Sequence, residues 1–428
     1  MEFASYWHAD AEPFAEARPG PVEGRFDVAV IGAGFTGLNA ARKLAREGVS
    51  VAVLEAEHAG FGGSGRNGGH LNNGLAHSFS AAKAHLGAER ATALYRAYDR
   101  SIDMIETLIA QEGITCDFRR SGKLKLASRA SHVAGLKADF EVIHAAVDPE
   151  TRWLEPADLG AEIGADGFHG ALLYEKSAMI HMGRYVHGLA RAAARHGAAI
   201  WEHAPVTSRR REGGGWRLDT PRGAIVADRV IAATGAWSAQ HGTAFGHIAR
   251  RLVPVGSYLI ATRPLTEDEI ARTLPGNRTC VTSLNIGNYF RLSPDGRLLF
   301  GGRARFSARS DPAEDAKSGR ILQAGLAAMF PHLAGVEIDY CWGGLVGMTA
   351  DRYPRAGEAD GLIYGTGYSG HGAQLSTLIG QVLADLAMGR KDTNPLAGMD
   401  WNKVPLHSGK PWFLPLVGLW FGLKDRLS

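Results

Sequence analysis

The stretch FDVAVIGAGFTG, from Phe26 to Gly37, decides the fold of this chain. Its first half is a short apolar run, which is typical of a strand buried on both faces. Its glycine-rich half leads into apolar residues at helical spacing between Leu38 and Ala45. The stretch therefore predicts a buried strand, a tight turn and a helix in direct succession.

The glycines of this turn have separate tasks. Gly32 permits the tight turn, Gly34 lets a pyrophosphate approach the backbone, and Gly37 lets the helix pack closely on the strand. A second strand, 51–54, leads to Glu55, where a carboxylate accepts hydrogen bonds from an adenosine ribose. Unpaired N–H groups at the helix N-terminus favour the pyrophosphate. A glycine-rich turn with a chance acid is the alternative, but the complete strand–turn–helix–strand context predicts a dinucleotide site.

Length and composition limit the number of domains and the classes of binding partner. A chain of 428 residues is too long for one compact core and suits two interleaved domains. There are 47 Lys and Arg residues against 44 Asp and Glu, which gives a net charge of +3, and no basic run stands out. Nucleic acid is therefore not expected as a partner. Glycine, with 55 residues, has about twice its usual share, and the excess clusters in loops.

The cysteines and the apolar runs indicate the cellular compartment in which the protein is expected. Cys116, Cys280 and Cys341 are isolated and lack CxxC spacing. They favour a reducing compartment and predict neither a disulfide framework nor a metal site. The first residues show no secretory leader pattern, and no apolar run reaches the roughly 18 residues of a membrane span. The sequence therefore predicts a cytoplasmic protein without a transmembrane segment.

Apolar spacing predicts helices and strands along the whole chain. The predicted helices cover 80–112, 131–147, 182–196 and 375–386. The predicted strands cover 122–127, 198–202, 206–211, 216–218, 224–226, 252–263, 279–283, 288–293, 297–303 and 336–342, with further strands beginning at 228 and 362. The strands between 252 and 342 predict a largely antiparallel sheet, which can cover one side of a bound ligand.

A ten-residue loop from Gly60 to Gly69, GFGGSGRNGG, holds six glycines directly after the predicted ribose-binding strand. Such a loop can pass tightly under a bulky planar ligand. Ser64, Arg66 and Asn67 would then supply hydrogen bonds to phosphate and ring edges. A flexible surface loop is the alternative interpretation.

Two later strands also end in glycines. The strand from Asp228 closes on Ala-Thr-Gly235 and is expected beside the first strand, with Gly235 against the cofactor. Near the C-terminus, LIYGTGYSGHG from Leu362 to Gly372 leads into a helix. The N-terminus of that helix can stabilise negative charge on a reduced ring.

The acidic run from Thr266 to Glu269 invites a catalytic interpretation. A threonine N-cap followed by acids in a first helical turn is the better explanation, because each acid there stabilises the helix by ~0.3–1 kcal/mol. We therefore expect a structural cap at this point.

The two ends of the chain are expected to be accessory. Residues 1–25 form an extended lead-in that Trp7 and Phe14 anchor. The tail from Trp412 to Leu423 is strongly apolar but too short to span a membrane. It is expected to pack on the body or to form a subunit contact, which would make a homo-oligomer possible, in preference to membrane attachment.

Together GAGFTG with Glu55, GFGGSGRNGG, ATGAW and GYSGHG resemble the D-amino-acid oxidase/glycine oxidase/sarcosine oxidase superfamily of FAD enzymes. Within it, YFRLSPDGRLLFGG and the ending LKDRL resemble the gamma-glutamylputrescine oxidases. The resemblance covers nearly the whole chain and implies an α/β fold, α+β overall. It implies a Rossmann-like FAD-binding domain from 26–80, 182–250 and 345–390, and a substrate domain with a mainly antiparallel sheet from 81–181 and 251–344. The lead-in 1–25 and the apolar tail 391–428 lie outside both.

The resemblance also implies the reaction. A hydride leaves the carbon next to an amine nitrogen for the flavin, O2 is reduced to H2O2, and the imine hydrolyses to an aldehyde. The amine would be gamma-glutamylputrescine or a related polyamine or N-substituted amine, oriented as a neutral molecule without a protein nucleophile. Two alternatives stay open: an FAD dehydrogenase of an amine, amino acid or 2-hydroxy acid that reduces a carrier or quinone, and a non-catalytic FAD-binding subunit.

The resemblance assigns FAD contacts to motif positions. They are Gly32, Gly34, Phe35, Thr36, Gly37, Glu55, Ala56, Gly63, Ser64, Arg66, Asn67, Gly68, Val206, Thr234, Gly235, Gly367, Gly370, His371 and Gly372. Val206 would offer backbone atoms to the adenine.

The substrate groups are less well defined. Amino-acid oxidases of the superfamily hold the substrate carboxylate with a sheet arginine, for which Arg291 is the candidate here. The position nearer the turn is Ser293, which is compatible with an amine lacking an α-carboxylate, and structural pairing of Arg291 is the alternative. Tyr289, Trp342 and Tyr368 are expected as aromatic walls beside the flavin, with core packing as the alternative.

Some sarcosine-oxidising relatives activate oxygen with a sheet lysine and tether the flavin through a cysteine. No lysine occurs between Lys176 and Lys317, so that group is expected to be absent, with His371 or an arginine supplying positive charge instead. Cys341 is not followed by the tethering pattern, which predicts non-covalent FAD.

Overall fold

The computed structural model describes residues 1–239, 245–305, 312–405, 407 and 411–427. The other positions, which belong to the predicted segments 182–250, 251–344 and 391–428, lie outside the described residues. The helices are α1 Tyr6–Ala9, α2 Phe35–Arg46, α3 Phe79–Leu86, α4 Ala88–Glu112, α5 Ala130–Ala146, α6 Met182–Arg195, α7 Gly246–Ala249, α8 Glu267–Thr273, α9 Pro312–Met329, α10 Gly372–Ala387 and α11 Leu414–Leu427.

The strands form two large sheets and one short pair. They are β1 Arg25–Ile31, β2 Val51–Leu54, β3 His70–Leu71, β4 Lys123–Leu126, β5 Arg152–Leu154, β6 Ala171–Tyr174, β7 Ala178–Met179, β8 Ala199–Trp201, β9 Ser208–Glu212, β10 Gly215–Thr220, β11 Gly223–Ala232, β12 Val253–Pro264, β13 Thr279–Thr282, β14 Tyr289–Leu292, β15 Arg297–Arg305, β16 Ile338–Met348, β17 Arg355–Ala359 and β18 Leu362–Thr366.

The first sheet is built around β1. Its order is β17-β18-β11-β1-β2-β8, with β10 and β9 extending from β11. Ile31 pairs in parallel with Leu54 on one side and with Ala232 on the other. The predicted place of the Ala-Thr-Gly strand beside the first strand is therefore confirmed, and the carboxyl ends of β1, β2 and β11 meet at one edge.

Helices α2 and α10 pack on this sheet and on each other. A Cβ atom on Gly37 would lie 1.9 Å from the carbonyl oxygen of Gly32, so only glycine lets α2 approach β1 this closely. A Cβ atom on Gly380 would lie 2.6 Å from the carbonyl oxygen of Thr36, which shows the same close approach between α10 and α2. Leu38, Leu44 and Leu375 belong to the core between these helices and the sheet.

The second sheet has the order β16-β12-β15-β14-β13-β4-β6-β5. Its neighbours are antiparallel except β13 and β4, which confirms a largely antiparallel sheet. Alternation along the strands separates two faces. Leu259, Leu299 and Trp342 join the core shared with α2 and α10, whereas Phe300 and Cys341 join a separate core on the opposite face.

Several local predictions need correction. The single helix predicted over 80–112 is two helices, because Gly87 with a φ of 82° ends α3. The predicted strands at 224–226 and from 228 are one continuous strand, β11, which pairs with β1 along its length. The structural interpretation of the acidic run is confirmed, since Thr266 and Glu269 form a capping box at the start of α8. Arg263 and the Thr266 amide lower the pKa of the Glu269 carboxyl to about 2.

The lead-in is anchored as predicted, since Trp7 and Phe14 are buried, but it also forms a short helix, α1.

The C-terminal tail forms α11 and contacts the rest of the protein. The Asp425 carboxylate accepts hydrogen bonds from the amides of Asn285 and Ile286 at 2.9 and 2.8 Å. The outward side exposes Trp412, Leu416, Leu419, Trp420 and Leu423.

Over the described residues, no helix combines the length and the apolar character needed to cross a membrane. The strands of the first sheet come from the three segments predicted to bind FAD. Those of the second sheet come from the two segments predicted to form the substrate domain, apart from small shifts at the boundaries. The division of the chain into these domains and its cytoplasmic location stay predictions.

Candidate cofactor and substrate site

The N-terminus of α2 lies at the carboxyl edge of the first sheet. Gly32 has a φ of 104°, and a Cβ atom there would lie 2.8 Å from the carbonyl oxygen of Ala233. Gly34 is the N-cap, and it has no side chain that could cap this helix end. The amide of Phe35 donates to the Ser64 hydroxyl at 2.9 Å. The partial positive charge of the helix end is thus available to an anion, as a pyrophosphate site requires.

Glu55 occupies the predicted ribose position at the end of β2. Its carboxylate accepts hydrogen bonds from the amides of Ala33 at 2.6 Å and Glu57 at 3.0 Å. Burial raises its pKa, and these amides together with the Ala56 amide oppose the rise. Each carboxylate oxygen can accept a second hydrogen bond, so ribose hydroxyls still find acceptors. The Ala204 amide donates to the Glu55 carbonyl at 2.7 Å, which brings the loop that carries Val206 beside this site.

Residues of the N-terminal lead-in bind the glycine-rich loop 60–69 through hydrogen bonds. The Ser5 hydroxyl donates to the Gly65 carbonyl at 2.6 Å, and the Trp7 indole N–H donates to the Asn67 carbonyl at 2.6 Å. A Cβ atom on Gly65 would lie 2.2 Å from Nε2 of His8. The alternative of a flexible surface loop is therefore wrong, because glycine is required here by close packing.

The polar side chains of this loop bind backbone around them. Asn67 donates to the carbonyls of Gly63 and Ser64, each at 3.0 Å. Arg66 donates to the Phe61 carbonyl at 2.8 Å and to the Gly343 carbonyl at 3.2 Å. Hydrogen bonds from Arg66 and Asn67 to a phosphate or ring edge stay predictions.

Trp342 lies under the same loop. It is buried, and its indole N–H donates to the Arg66 carbonyl at 3.0 Å. The geometry favours the core-packing interpretation of this residue, as a support for the loop.

The C-terminal glycine turn lies next to the first one. Gly367 and Gly370 have φ values of 74° and 94°, and His371 is the N-cap of α10, which no side chain caps. The Tyr368 hydroxyl lies 2.6 Å from Oγ1 of Thr36. Two uncapped helix N-termini are therefore joined, with Gly372 opening the second of them.

The Thr234–Gly235 turn also lies at the carboxyl edge of the first sheet. Gly235 has a φ of 52°, and Oγ1 of Thr234 lies 2.5 Å from the Ser238 hydroxyl. Because β11 is paired with β1, this turn lies beside Gly32.

Tyr289 faces the glycine-rich loop from the second sheet. Its hydroxyl lies 3.1 Å from Oγ of Ser257, and a Cβ atom on Gly68 would lie 2.9 Å from its ring. Burial raises its pKa to about 12. The ring lies where an aromatic wall of a flavin site is expected.

Arg291 is on the same face but is already bound by backbone. Its guanidinium donates to the carbonyls of Gly69 at 2.6 Å and Ile180 at 3.0 Å, and its Nε donates to the carbonyl of Leu292 at 2.9 Å. Burial lowers its pKa to about 9. Of the two interpretations of Arg291, substrate contact and structural pairing, the geometry favours structural pairing.

The surroundings of His371 disfavour a charged imidazole, which leaves an arginine as the other expected source of positive charge. Burial, reinforced by the charges of Lys123 and Arg352, lowers the pKa of His371 to about 3. Its buried Nδ1 has no hydrogen-bond partner within the described part of the chain, and neither has Nε2 of His70. Both are neutral imidazoles at neutral pH, with hydrogen-bonding capacity left for a ligand.

The second sheet carries two lysines on strand β4, outside the range between Lys176 and Lys317, and the expected absence of an oxygen-activating lysine stays a prediction. Lys123 and Lys125 lie on the face that carries Tyr289, opposite to Leu124 and Leu126. Lys123 donates to the Asn73 carbonyl at 2.7 Å, and burial lowers its pKa to about 7. The predicted alternation of 122–127 already contained this signal, since leucines on one face place the lysines on the other.

These groups fit FAD. Two uncapped helix ends offer amides and partial positive charge to the pyrophosphate, and Glu55 offers acceptors to the ribose. The glycine-rich loop and the sheet bring Gly68 and Tyr289 together, where a planar ring can lie between backbone and aromatic side chain.

Comparisons with known proteins agree with this fit. Residues 27–386 match the DAO family, described as FAD dependent oxidoreductase. The chain is 32% identical to gamma-glutamylputrescine oxidoreductase of Escherichia coli K12, covering 99% of each chain, and 34% identical to the probable oxidoreductase OrdL of Haemophilus influenzae, covering 89% of this chain and 86% of that one. Glycine oxidase from Geobacillus kaustophilus superposes with a TM-score of 0.75 at 25% identity, covering 89% and 99% of the two chains. The chain therefore belongs to the DAO family of FAD-dependent oxidoreductases, and its cofactor is FAD.

Proposed function

We propose that this enzyme oxidises gamma-glutamylputrescine, or a closely related polyamine derivative, at the carbon next to an amine nitrogen, with O2 as the electron acceptor. The observation that carries the proposal is the similarity to gamma-glutamylputrescine oxidoreductase across 99% of both chains. The products would be an imine, which water converts to an aldehyde, and H2O2.

The residues around the site suit this reaction. FAD, when bound, supplies the acceptor for the hydride. When it is charged, Lys123 disfavours a second cation nearby, so a bound amine is favoured in the neutral form that can lose a hydride. The neutral nitrogens of His70 and His371 can orient its N–H bonds, and the N-terminus of α10 can stabilise negative charge on the reduced ring.

Non-covalent attachment of FAD is part of the proposal. The Cys341 thiol lies on the face of the second sheet opposite to Trp342, and it donates to the Asp315 carbonyl at 3.3 Å. Burial raises its pKa to about 12, which makes it a poor nucleophile. Denaturation should therefore release all of the flavin.

The lysines of β4 also bear on the electron acceptor. The dehydrogenase alternative rested on the expected lack of a sheet lysine and on the apolar tail, and Lys123 removes the first of these reasons. We therefore propose an oxidase.

The test is anaerobic bleaching of the oxidised flavin band near ~450 nm. The FAD-loaded enzyme is mixed with gamma-glutamylputrescine, putrescine, spermidine, sarcosine, glycine or D-alanine, and air is then admitted. Bleaching by the polyamine derivatives, followed by rapid recovery with stoichiometric H2O2, is expected. Recovery only with an added quinone would contradict the oxidase, and bleaching by glycine or D-alanine alone would contradict the substrate class.

A further inference from the structure

A basic cluster lies beside the proposed reaction site and has no assigned role. It consists of Lys123 and Lys125 on β4 and Arg352 in the turn after β16. The charges of all three depress the pKa of His371, which places them around this residue. The ring of Tyr98 lies 5.7 Å from that of His371.

Two members of the cluster have no directly bonded partner in the described part of the chain. Lys123 is bound by the Asn73 carbonyl and lies 3.9 Å from the centre of the Tyr174 ring. Within the described ranges, Lys125 and Arg352 make neither a hydrogen bond nor an ion pair through their side chains. Their mutual repulsion contributes to the lowered pKa of Lys125. Two neighbouring cations without an ion-paired acid favour the binding of an anion.

Asp139 is the acid whose charge acts on Lys125, but its carboxylate is hydrogen-bonded to another group. The negative charge of Asp139 opposes the lowering of the Lys125 pKa, but its carboxylate accepts the amide of Phe79 at 2.8 Å at the start of α3, and it makes no ion pair with Lys125. The Tyr98 hydroxyl is buried and has no partner in the described part of the chain. The cluster therefore offers two cations and an unused O–H donor, which is the donor set that a carboxylate accepts.

The sheet register sets the distance between this cluster and the flavin side. Val281 pairs with Tyr289 on one side and with Lys125 on the other. Lys125 is thus two strands from Tyr289, or about 10 Å at the usual strand spacing. A carboxylate on the reacting carbon would not span that distance, whereas one at the far end of an elongated amine would.

We propose that Lys125 and Arg352 bind a carboxylate at the end of the substrate remote from the reacting amine, so that this enzyme prefers amines with a distal carboxylate. The inference rests on the proposed amine oxidation and adds its specificity determinant. The planar guanidinium of Arg352 suits a two-point contact with the carboxylate, and Lys125 adds a point charge from the sheet.

The test compares gamma-glutamylputrescine with putrescine, which has the same reacting amine and no carboxylate. The variants are Lys125→Met and Arg352→Asn, because asparagine tolerates the φ of 59° at that position. The matched control is Lys137→Met, which removes a surface lysine that pairs with Glu155. Flavin content of each variant checks that the fold is retained, and Lys125→Arg should keep the activity.

We expect kcat/KM for gamma-glutamylputrescine to fall about 10- to 100-fold in each variant, the range for a lost hydrogen bond to a charged group. The values for putrescine and for the control should change less than about twofold. Equal losses with both amines would overturn the proposal, because the cations would then act on the flavin or the reacting centre. Unchanged values for gamma-glutamylputrescine would also overturn it.

A binding measurement separates this proposal from the proposed function. Glutarate, a carboxylate without an amine, is titrated into the oxidised enzyme while the flavin absorption is followed. The Kd should rise about tenfold or more in Lys125→Met and Arg352→Asn and stay unchanged in Lys137→Met. If no amine bleaches the flavin, the proposed function fails, and the glutarate titration still decides whether the cluster binds a carboxylate.

Discussion

The Tyr368 hydroxyl lies 2.6 Å from Oγ1 of Thr36, and this contact joins the N-terminal turns of α2 and α10, whose N-cap residues make no side-chain cap. The two residues are 332 positions apart in the chain. Both helix ends direct partial positive charge toward the cofactor site. The contact therefore fixes the relative position of the two groups that would hold the pyrophosphate and the reduced ring.

Tyr368→Phe should weaken FAD binding while the protein stays folded. The variant removes the hydroxyl that holds the two helix ends together, and the net loss of such a bond is about 1 kcal/mol, or about fivefold in Kd. Reconstitution of the apoprotein with FAD, followed by flavin fluorescence, measures the Kd. Tyr340→Phe is the control, since that ring packs against Tyr6 away from the helix ends. Equal Kd values for both variants would contradict this role of Tyr368.

Gly37→Ala and Gly135→Ala should have opposite effects on stability. A Cβ atom at Gly37 would lie 1.9 Å from backbone, whereas one at Gly135 in α5 would meet no atom within 4 Å. Alanine is favoured over glycine in a helix by about 1 kcal/mol, which only the second variant can gain. Urea unfolding followed by fluorescence should show a lower midpoint and lost flavin for Gly37→Ala. A Gly37→Ala variant with full flavin content would show that α2 can move away from β1.

Trp7→Phe should destabilise the enzyme more than Trp201→Phe. The Trp7 N–H binds the Asn67 carbonyl of the glycine-rich loop, so its loss leaves a buried acceptor unpaired and costs about 1–3 kcal/mol. The indole N–H of Trp201 is buried without a partner among the described residues, so the same change there removes an unsatisfied group. Thermal unfolding measures the difference, and a change in the visible flavin spectrum of Trp7→Phe alone would report on the loop. A larger loss in Trp201→Phe would refute the assignment.

Arg291→Met should reduce stability without changing substrate preference. The variant leaves the Ile180 carbonyl without its donor, at a cost of about 1–3 kcal/mol, whereas the Gly69 carbonyl keeps the hydrogen bond from the Ile180 amide at 3.2 Å. The ratio of kcat/KM for gamma-glutamylputrescine to that for putrescine should stay as in the wild type. Arg229→Met, on the surface, is the control for charge loss. A ratio that falls tenfold would restore Arg291 as a substrate contact.

The folded enzyme should lose stability as the pH falls below 6.5. Burial lowers the pKa values of His8, His70, His187 and His371 to about 3 or 4, whereas in the unfolded chain they lie near 6.5. Between these values the unfolded state takes up protons that the folded state does not, so the stability present above pH 6.5 is lost toward pH 4. Each histidine contributes up to about 1.4 kcal/mol per pH unit.

Thermal unfolding of the FAD-loaded enzyme between pH 8 and pH 5 measures this dependence. We expect the four histidines to cause a steep fall of the Tm below pH 6.5 and to contribute no slope above pH 7. His187→Phe should make the fall shallower, because one proton fewer is taken up on unfolding. A Tm that is constant down to pH 5 would contradict the burial of these imidazoles as neutral groups.

Local patterns made the nucleotide-binding half predictable. Gly37 is required by a contact with Gly32 within one strand–turn–helix unit, and the Thr266 capping box is a contact between residues three positions apart. The break at Gly87 was missed because helical apolar spacing continues across it. The role of the lead-in was missed because Ser5 and Trp7 act on carbonyls 60 residues away.

The sequence by itself determined the strand–turn–helix of the cofactor site, the acid at Glu55 and the buried alternation of β4, since each depends on neighbours a few residues apart. Only the tertiary structure decided which side chains meet there. Sheet order puts Lys125 two strands from Tyr289, and packing binds Arg291 to the backbone of Gly69 and Ile180. The physical reason is that these contacts join distant segments, and their pairing follows from the register of the sheets and the close approach of helices, which no local spacing encodes.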